Sequence, residues 1–67
     1  MNKENKIKEL INKPKLASKE VENKIGVYRK FQIANILNIS RPTLDKRLIN
    51  HDWKIKEIEL IVNNLYI

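Results

Sequence analysis

Residues 33–48 read IANILNISRPTLDKRL, and this run predicts two short helices joined by a tight turn. In the first helix the apolar residues Ile33, Ile36 and Leu37 are spaced i, i+3 and i+4, so one face is expected to be buried. Asn38 stands where the chain must turn. Asparagine is second only to glycine in its readiness to take the left-handed conformation that ends a helix.

The second helix of this run has its own start signal. Ser40 is a strong N-cap residue, and Pro42 suits a first helical turn because its missing N–H has no partner there in any case. Leu44 and Leu48, spaced i and i+4, are expected to pack against the rest of the protein from below, and Ala34 in the first helix leaves room for a close helix crossing. The residues left facing outward near the N-terminal end are Arg41, Pro42, Asp45 and Lys46.

This run resembles the helix-turn-helix of the Xre family, the phage Cro and repressor type. That pattern has a small residue in the first helix, a turn glycine four positions later, then an aliphatic residue, a Ser or Thr, and an aliphatic residue in the recognition helix. Every position matches except the turn, where Asn38 replaces glycine; Arg47 also stands where a Trp or aliphatic residue is common. The resemblance covers about residues 30–65. It implies an all-α fold, a small helix-turn-helix bundle of four to five short helices (Cro/repressor-like).

The resemblance also implies a set of DNA contacts, because the N-terminal part of the recognition helix meets base edges in the major groove. Arg41 is suited to O6 and N7 of guanine, and Asp45 can accept from the N4 amine of cytosine. The alternative for these two residues is an i,i+4 ion pair on a solvent-exposed face. The expected base contacts are Arg41, Pro42, Thr43, Asp45 and Lys46. The expected phosphate contacts are Arg29, Lys30, Ser40, Arg47 and Lys54.

The charge distribution points to an anionic partner. The chain carries a formal net charge of +6 with a pI near 9.8. Residues 28–56 hold seven Lys and Arg against two Asp, whereas residues 57–67 hold two Glu and no base. Nucleic acid is the commonest partner of so basic a small domain. The alternative, that a lysine-rich surface only keeps the protein soluble, stays open.

Length and composition limit the other function classes. Sixty-seven residues predict one domain with a thin core, since a chain of this size buries only roughly 60% of its unfolded surface. The chain has no cysteine and one histidine, so we expect no metal, no cofactor and no enzymatic activity. No apolar run approaches a membrane span, and the polar start leads into no signal-peptide core. We therefore expect a cytoplasmic protein without a membrane or small-molecule partner.

The N-terminal region is expected to precede the DNA-binding unit. Residues 1–15 form an N-terminal helix or a basic arm, and residues 16–67 form the helix-turn-helix domain. Ser18 is expected to cap a helix that Gly26 ends. A competing motif register, beginning at Ser18, would place Glu22 and Gln32 at buried positions, and burying either without a partner costs on the order of a few kcal/mol.

Residues after Leu48 are expected to close the core. Trp53 should cover it, with its indole N–H on a backbone carbonyl, and His51 should be a solvated loop residue. Asp52 is placed to cap the last helix. That helix, about Lys54 to Leu65, has a 3.6-residue apolar period formed by Ile55, Ile58, Ile61, Val62 and Leu65. Phe31 is expected to fill a gap between helices.

The sequence is compatible with two function classes. The first is a sequence-specific double-stranded DNA-binding protein, a phage-type or prokaryotic transcriptional regulator acting by operator occupancy. It would be a homodimer, because one module touches few base pairs. The expected dimer contacts are Leu60, Tyr66 and Ile67. The second is a protein-interaction or architectural module, such as an excisionase-like factor or a packaging adaptor, with the C-terminal helix as the partner surface.

Overall fold

The structure, a computed structural model, describes residues 3–65, and its helices form a single small all-α bundle as predicted. No strand occurs in this part of the chain. The helices are α1 (Lys3–Asn12), α2 (Pro14–Lys24), α3 (Lys30–Ile36), α4 (Arg41–Asn50) and α5 (Ile55–Leu65).

Pro14 separates the first two helices. Proline disfavours helical geometry in the residue before it, and Lys13 is indeed non-helical, at φ −130° and ψ 74°. The same proline then occupies the first turn of α2, where a missing N–H costs nothing. The boundary predicted between residues 15 and 16 therefore falls inside α2. Leu10 is fully buried, so α1 is a docked helix that packs mainly against α5.

The predicted limits of α2 are wrong at both ends. Ser18 lies inside the helix and is buried, because α2 begins four residues earlier, at Pro14. The helix ends at Lys24, whose carbonyl accepts from the N–H groups of Val27 and Tyr28. Gly26 does not have a positive φ, so it is not a left-handed C-cap.

The turn between α3 and α4 has the predicted geometry. Asn38 is left-handed, with φ 57°, and the N–H of Ile39 donates to the carbonyl of Ala34 over 3.0 Å. This pairing is the Schellman arrangement that satisfies carbonyls at a helix end. Ser40 is extended and its Oγ accepts from the N–H of Thr43 over 3.2 Å, which confirms it as the N-cap of α4.

The alternative register is not adopted. Glu22 and Gln32, which it would have buried, are both exposed. Gln32 instead accepts the backbone N–H of Arg29 over 2.9 Å and so closes the start of α3. Ala34 in the observed motif is 2% exposed, as a close helix crossing requires.

The core draws on all five helices and on Trp53. Leu44 faces it from α4, while α5 contributes most of one face. Ile55 was expected in that face but is exposed at the first residue of α5, whereas Ile58, one turn later, is buried. The buried apolar residues are Leu10, Ala17, Val21, Ile33, Ala34, Leu37, Leu44, Trp53, Ile58, Ile61, Val62 and Leu65.

Two further expectations about helix ends and packing are wrong. Phe31 is half exposed, because Ile33, Ala34 and Leu37 occupy the inward face of α3 and Phe31 lies about 200° round the helix from Ile33. Asp52 does not cap α5. The backbone N–H of Lys54 donates instead to Oε1 of Glu57, three residues later, over 3.1 Å.

Candidate nucleic-acid interface

The N-terminal half of α4 presents a mixed polar and charged surface to solvent. Arg41, Pro42, Asp45 and Lys46 are exposed, and Thr43 is partly buried beside them. We call these five residues the outer surface of α4. Their spacing places them on one side of the helix, and Leu44 fixes the opposite side because it is fully buried. The structure thus brings the five predicted base-contacting residues together.

The hydroxyl groups of Ser40 and Thr43 are hydrogen-bonded to each other at the start of this helix. The Ser40 hydroxyl accepts from the Thr43 N–H and donates to Thr43 Oγ1 over 2.8 Å. The hydroxyl hydrogen of Ser40 is therefore already used in the bond to Thr43. The hydrogen of the Thr43 hydroxyl is not used in that exchange, so Thr43 is the member of this pair that is able to donate to an outside acceptor.

Asp45 forms an ion pair with α3 rather than within its own helix. Lys30 Nζ lies 3.0 Å from Asp45 Oδ1, which links the first residue of α3 to the middle of α4. The i,i+4 pair considered for Arg41 and Asp45 is not formed. Among residues 3–65, Arg41 has no ion-pair partner, so its guanidinium is available for a ligand.

Arg47 lies on the other side of α4, where it contacts α5. Its Nε donates to Glu57 Oε1 over 2.9 Å and its second terminal nitrogen to Glu57 Oε2 over 3.3 Å. A third bond reaches Asp52 over 3.3 Å. The Glu57 hydrogen bond raises the pKa of Arg47 above its ordinary value, so the guanidinium stays charged. Its charge is neutralised within the protein, and its side chain is only 14% exposed.

Of the remaining predicted phosphate contacts, Lys30 touches the outer surface of α4 at Asp45. Arg29 is exposed immediately before Lys30, which itself reaches Asp45. Lys54 borders a small groove of about 200 Å³ together with Asn38 and Ile39, the turn residues that precede α4. These basic side chains thus lie at the start of α3 and next to the turn that precedes α4.

Sequence reasoning missed a hydrogen-bonded chain inside the bundle. The indole Nε1 of Trp53 donates to Ser18 Oγ over 2.8 Å, and Ser18 Oγ lies 2.7 Å from His51 Nδ1. The expectations of a backbone carbonyl for Trp53 and of a solvated loop for His51 are therefore wrong. His51 ends α4 in a left-handed conformation, φ 58°, and its N–H donates to the carbonyl of Arg47.

A contact between a serine and a histidine is also the arrangement of an activated nucleophile. Here Ser18 is 2% exposed and its oxygen already accepts the indole N–H, so the contact stabilises the bundle. The signal for this role lay in the spacing of Ser18 from Val21, which places the serine on the buried face once the helix is taken to start at Pro14.

The part of the chain that the structure describes shows neither a cluster of metal-binding side chains nor a membrane-spanning helix. Within residues 3–65, no group of three or more histidine or acidic side chains is placed to hold a metal ion. None of the helices described there is long and apolar enough to cross a membrane. Of the expected dimer contacts, Leu60 is partly buried against the core, and Tyr66 and Ile67 lie outside the described residues.

Comparison of the chain with protein-family models, with curated proteins and with solved structures gives no match.

Proposed function

We propose that this protein binds double-stranded DNA sequence-specifically, with α4 in the major groove, and that it regulates transcription in the cytoplasm of a prokaryotic or phage-infected cell by occupying an operator. The observation that carries the proposal is the outer surface of α4. Four polar or charged residues and Pro42 lie there on a helix whose opposite side is held in the core by Leu44. A helix of this kind fits the major groove of B-DNA.

The start of α4 is suited to approach a phosphate backbone. Pro42 has no N–H and the Thr43 N–H donates to Ser40 Oγ, so the N–H of Arg41 is the first-turn donor that the described residues leave for an anion, and Ser40 beside it is exposed. Lys54 lies in a groove with Asn38 and Ile39, just before this end, and the exposed Arg29 precedes Lys30, which contacts Asp45; both are placed to hold phosphates in this proposal. Arg41 has no ion pair among the described residues, and its paired N–H donors match O6 and N7 of guanine.

The protein acts as a homodimer in this proposal. One α4 is 10 residues, about 15 Å, long and reaches only a few base pairs. Two copies on an inverted repeat place their recognition helices about one DNA turn apart and double the specific contacts. Sedimentation analysis with and without the cognate duplex tests this step. A single protomer on DNA at micromolar concentration contradicts it.

The test of the proposal compares two variants that lose the same charge. A duplex enriched from a random library by the wild-type protein is titrated with wild type, with Arg41→Ala/Lys46→Ala and with Lys8→Ala/Lys15→Ala. Lys8 and Lys15 are exposed on α1 and α2, and Lys15 lies near Asn50 and His51, at the opposite end of α4 from Ser40. We expect the α4 variant to lose at least about tenfold in affinity for the enriched duplex. The control variant should lose much less.

Salt dependence separates this function from a protein-interaction role. Each neutralised phosphate contributes a slope of about −0.9 to a plot of log affinity against log salt, so a dimer with about five phosphate contacts gives a slope of about −4.5. An apolar interface weakens little with salt. In the structure the apolar stripe of α5 from Ile58 to Leu65 packs inside the bundle, which leaves little of it for a partner.

A further inference from the structure

Asp45 is the only acid among the exposed residues of α4, and its position needs an explanation on a surface that approaches DNA. A carboxylate there is repelled by phosphates. The Lys30 ammonium, 3.0 Å from Asp45 Oδ1, cancels this charge locally. Both side chains remain substantially exposed, at 42% for Lys30 and 50% for Asp45, so the pair lies at the surface and not in the core.

The two oxygens of this carboxylate are not equivalent. Oδ1 accepts from Lys30, whereas no hydrogen bond from residues 3–65 reaches Oδ2. A flexible exposed aspartate samples several rotamers, and a bond to one oxygen restricts them. The second oxygen of this half-exposed carboxylate thereby keeps two lone pairs for an outside donor.

We infer that Lys30 is a positioning residue that holds Asp45 to accept from the N4 amino group of a cytosine in the major groove, an inference that rests on the proposed function. Cytosine presents only this donor in the major groove, whereas adenine presents its N6 donor beside the acceptor N7. A carboxylate has no hydrogen to offer N7 and is repelled by it. The pair of Lys30 and Asp45 therefore selects cytosine at one position of the site and disfavours adenine.

The exposed location of the pair separates this role from a structural one. An exposed ion pair contributes little to folding, so removing Lys30 should leave the unfolding transition nearly unchanged. The quantity that should change is the base preference at one position. A residue that only joined α3 to α4 would alter stability, or affinity for all sequences equally, without altering that preference.

The experiment selects duplexes from a random library with wild type, Asp45→Asn, Lys30→Met, Lys30→Arg and Lys8→Met. Affinities are then measured on four duplexes that differ only at the position enriched in cytosine. Lys8→Met removes the same charge from an exposed position on α1 and serves as the matched control. Lys30→Arg keeps a cation for Asp45.

We expect wild type to prefer cytosine over adenine by at least about fivefold at that position. Asp45→Asn should move the preference towards adenine, because an asparagine amide can pair with both N6 and N7. Lys30→Met should reduce the ratio of the affinities for the cytosine and adenine duplexes by more than half. Lys30→Arg and Lys8→Met should keep it within about twofold of wild type.

Two results overturn the inference in distinguishable ways. If wild type enriches no sequence and binds no duplex at low salt, the proposed function fails and the inference fails with it. If wild type binds an enriched sequence and the preference at every position is the same in Asp45→Asn or Lys30→Met, DNA binding stands. In that case the pairing of Lys30 with Asp45 has no part in base selection.

Discussion

Arg47 and Glu57 join α4 to the first turn of α5 through two hydrogen bonds, of 2.9 and 3.3 Å, between one guanidinium and one carboxylate. The Glu57 side chain is 8% exposed, so the pair lies mostly out of solvent. Glu57 also accepts the backbone N–H of Lys54. The pair thus fixes the orientation of the helix that we propose to enter the major groove.

Arg47→Met should destabilise the protein by about 3 kcal/mol, because it leaves the buried Glu57 carboxylate without a counter-charge. Urea unfolding followed by circular dichroism measures the change. The double variant Arg47→Met/Glu57→Leu should recover most of the loss and remain about 1 kcal/mol below wild type, since the cap on Lys54 is also gone. Equal stability of Arg47→Met and wild type would show that the pair does not hold the two helices.

Ser18→Ala should cost about 1–3 kcal/mol, because the indole N–H of Trp53 loses its acceptor in a buried position. The same substitution in a Trp53→Phe background should cost clearly less, since no buried donor is then left unpaired. The comparison is a double-mutant cycle from chemical unfolding. Equal costs in both backgrounds would mean that the 2.8 Å contact makes no specific contribution.

Asn38→Gly should leave the stability unchanged within about 0.5 kcal/mol or raise it, whereas Asn38→Ala should lower it by about 1 kcal/mol. The left-handed conformation at φ 57° is the physical reason, because glycine adopts it freely and alanine does not. Thermal unfolding of the two variants side by side provides the measurement. A less stable glycine variant would indicate that the asparagine side chain has a role beyond its backbone conformation.

Gly26→Ala should raise the stability by about 0.4–1 kcal/mol, chiefly by restricting the unfolded chain. The backbone at Gly26 does not have a positive φ, and an added Cβ would meet no atom within 4 Å. Equilibrium unfolding decides the sign. A loss of about 1 kcal/mol instead would indicate the left-handed helix cap that the sequence alone had suggested.

The parts of the fold that sequence predicted well are those governed by local chemistry. Asn38 and Ser40 act through their own backbone and through groups within a few residues, so their roles followed from residue type and order. The same holds for Ile33, Ala34 and Leu37, whose spacing marks the buried face of α3. The grouping of the outer surface of α4 followed from these two features.

The contacts that sequence missed join distant positions. Trp53 and Ser18 are 35 residues apart, and nothing in their neighbourhoods indicates that they meet. Arg47 was assigned to a phosphate because it is basic and lies in the motif. In the structure its charge is neutralised by Glu57, a buried acid in the next helix. Lys30 and Asp45, 15 residues apart, are a similar case. Pairings of this kind depend on how helices pack.

Whether α4 contacts DNA is measured by a map of backbone amide chemical shifts in the labelled protein, recorded with and without the enriched duplex at moderate salt. We predict that the largest changes fall at Arg29, at Lys30 and at the amides of residues 40, 41 and 43–46, with smaller ones around Lys54; Pro42 has no amide N–H. Changes confined to α1 and to the outer face of α5, or no changes at an excess of duplex over protein, would contradict the placement of α4 on DNA.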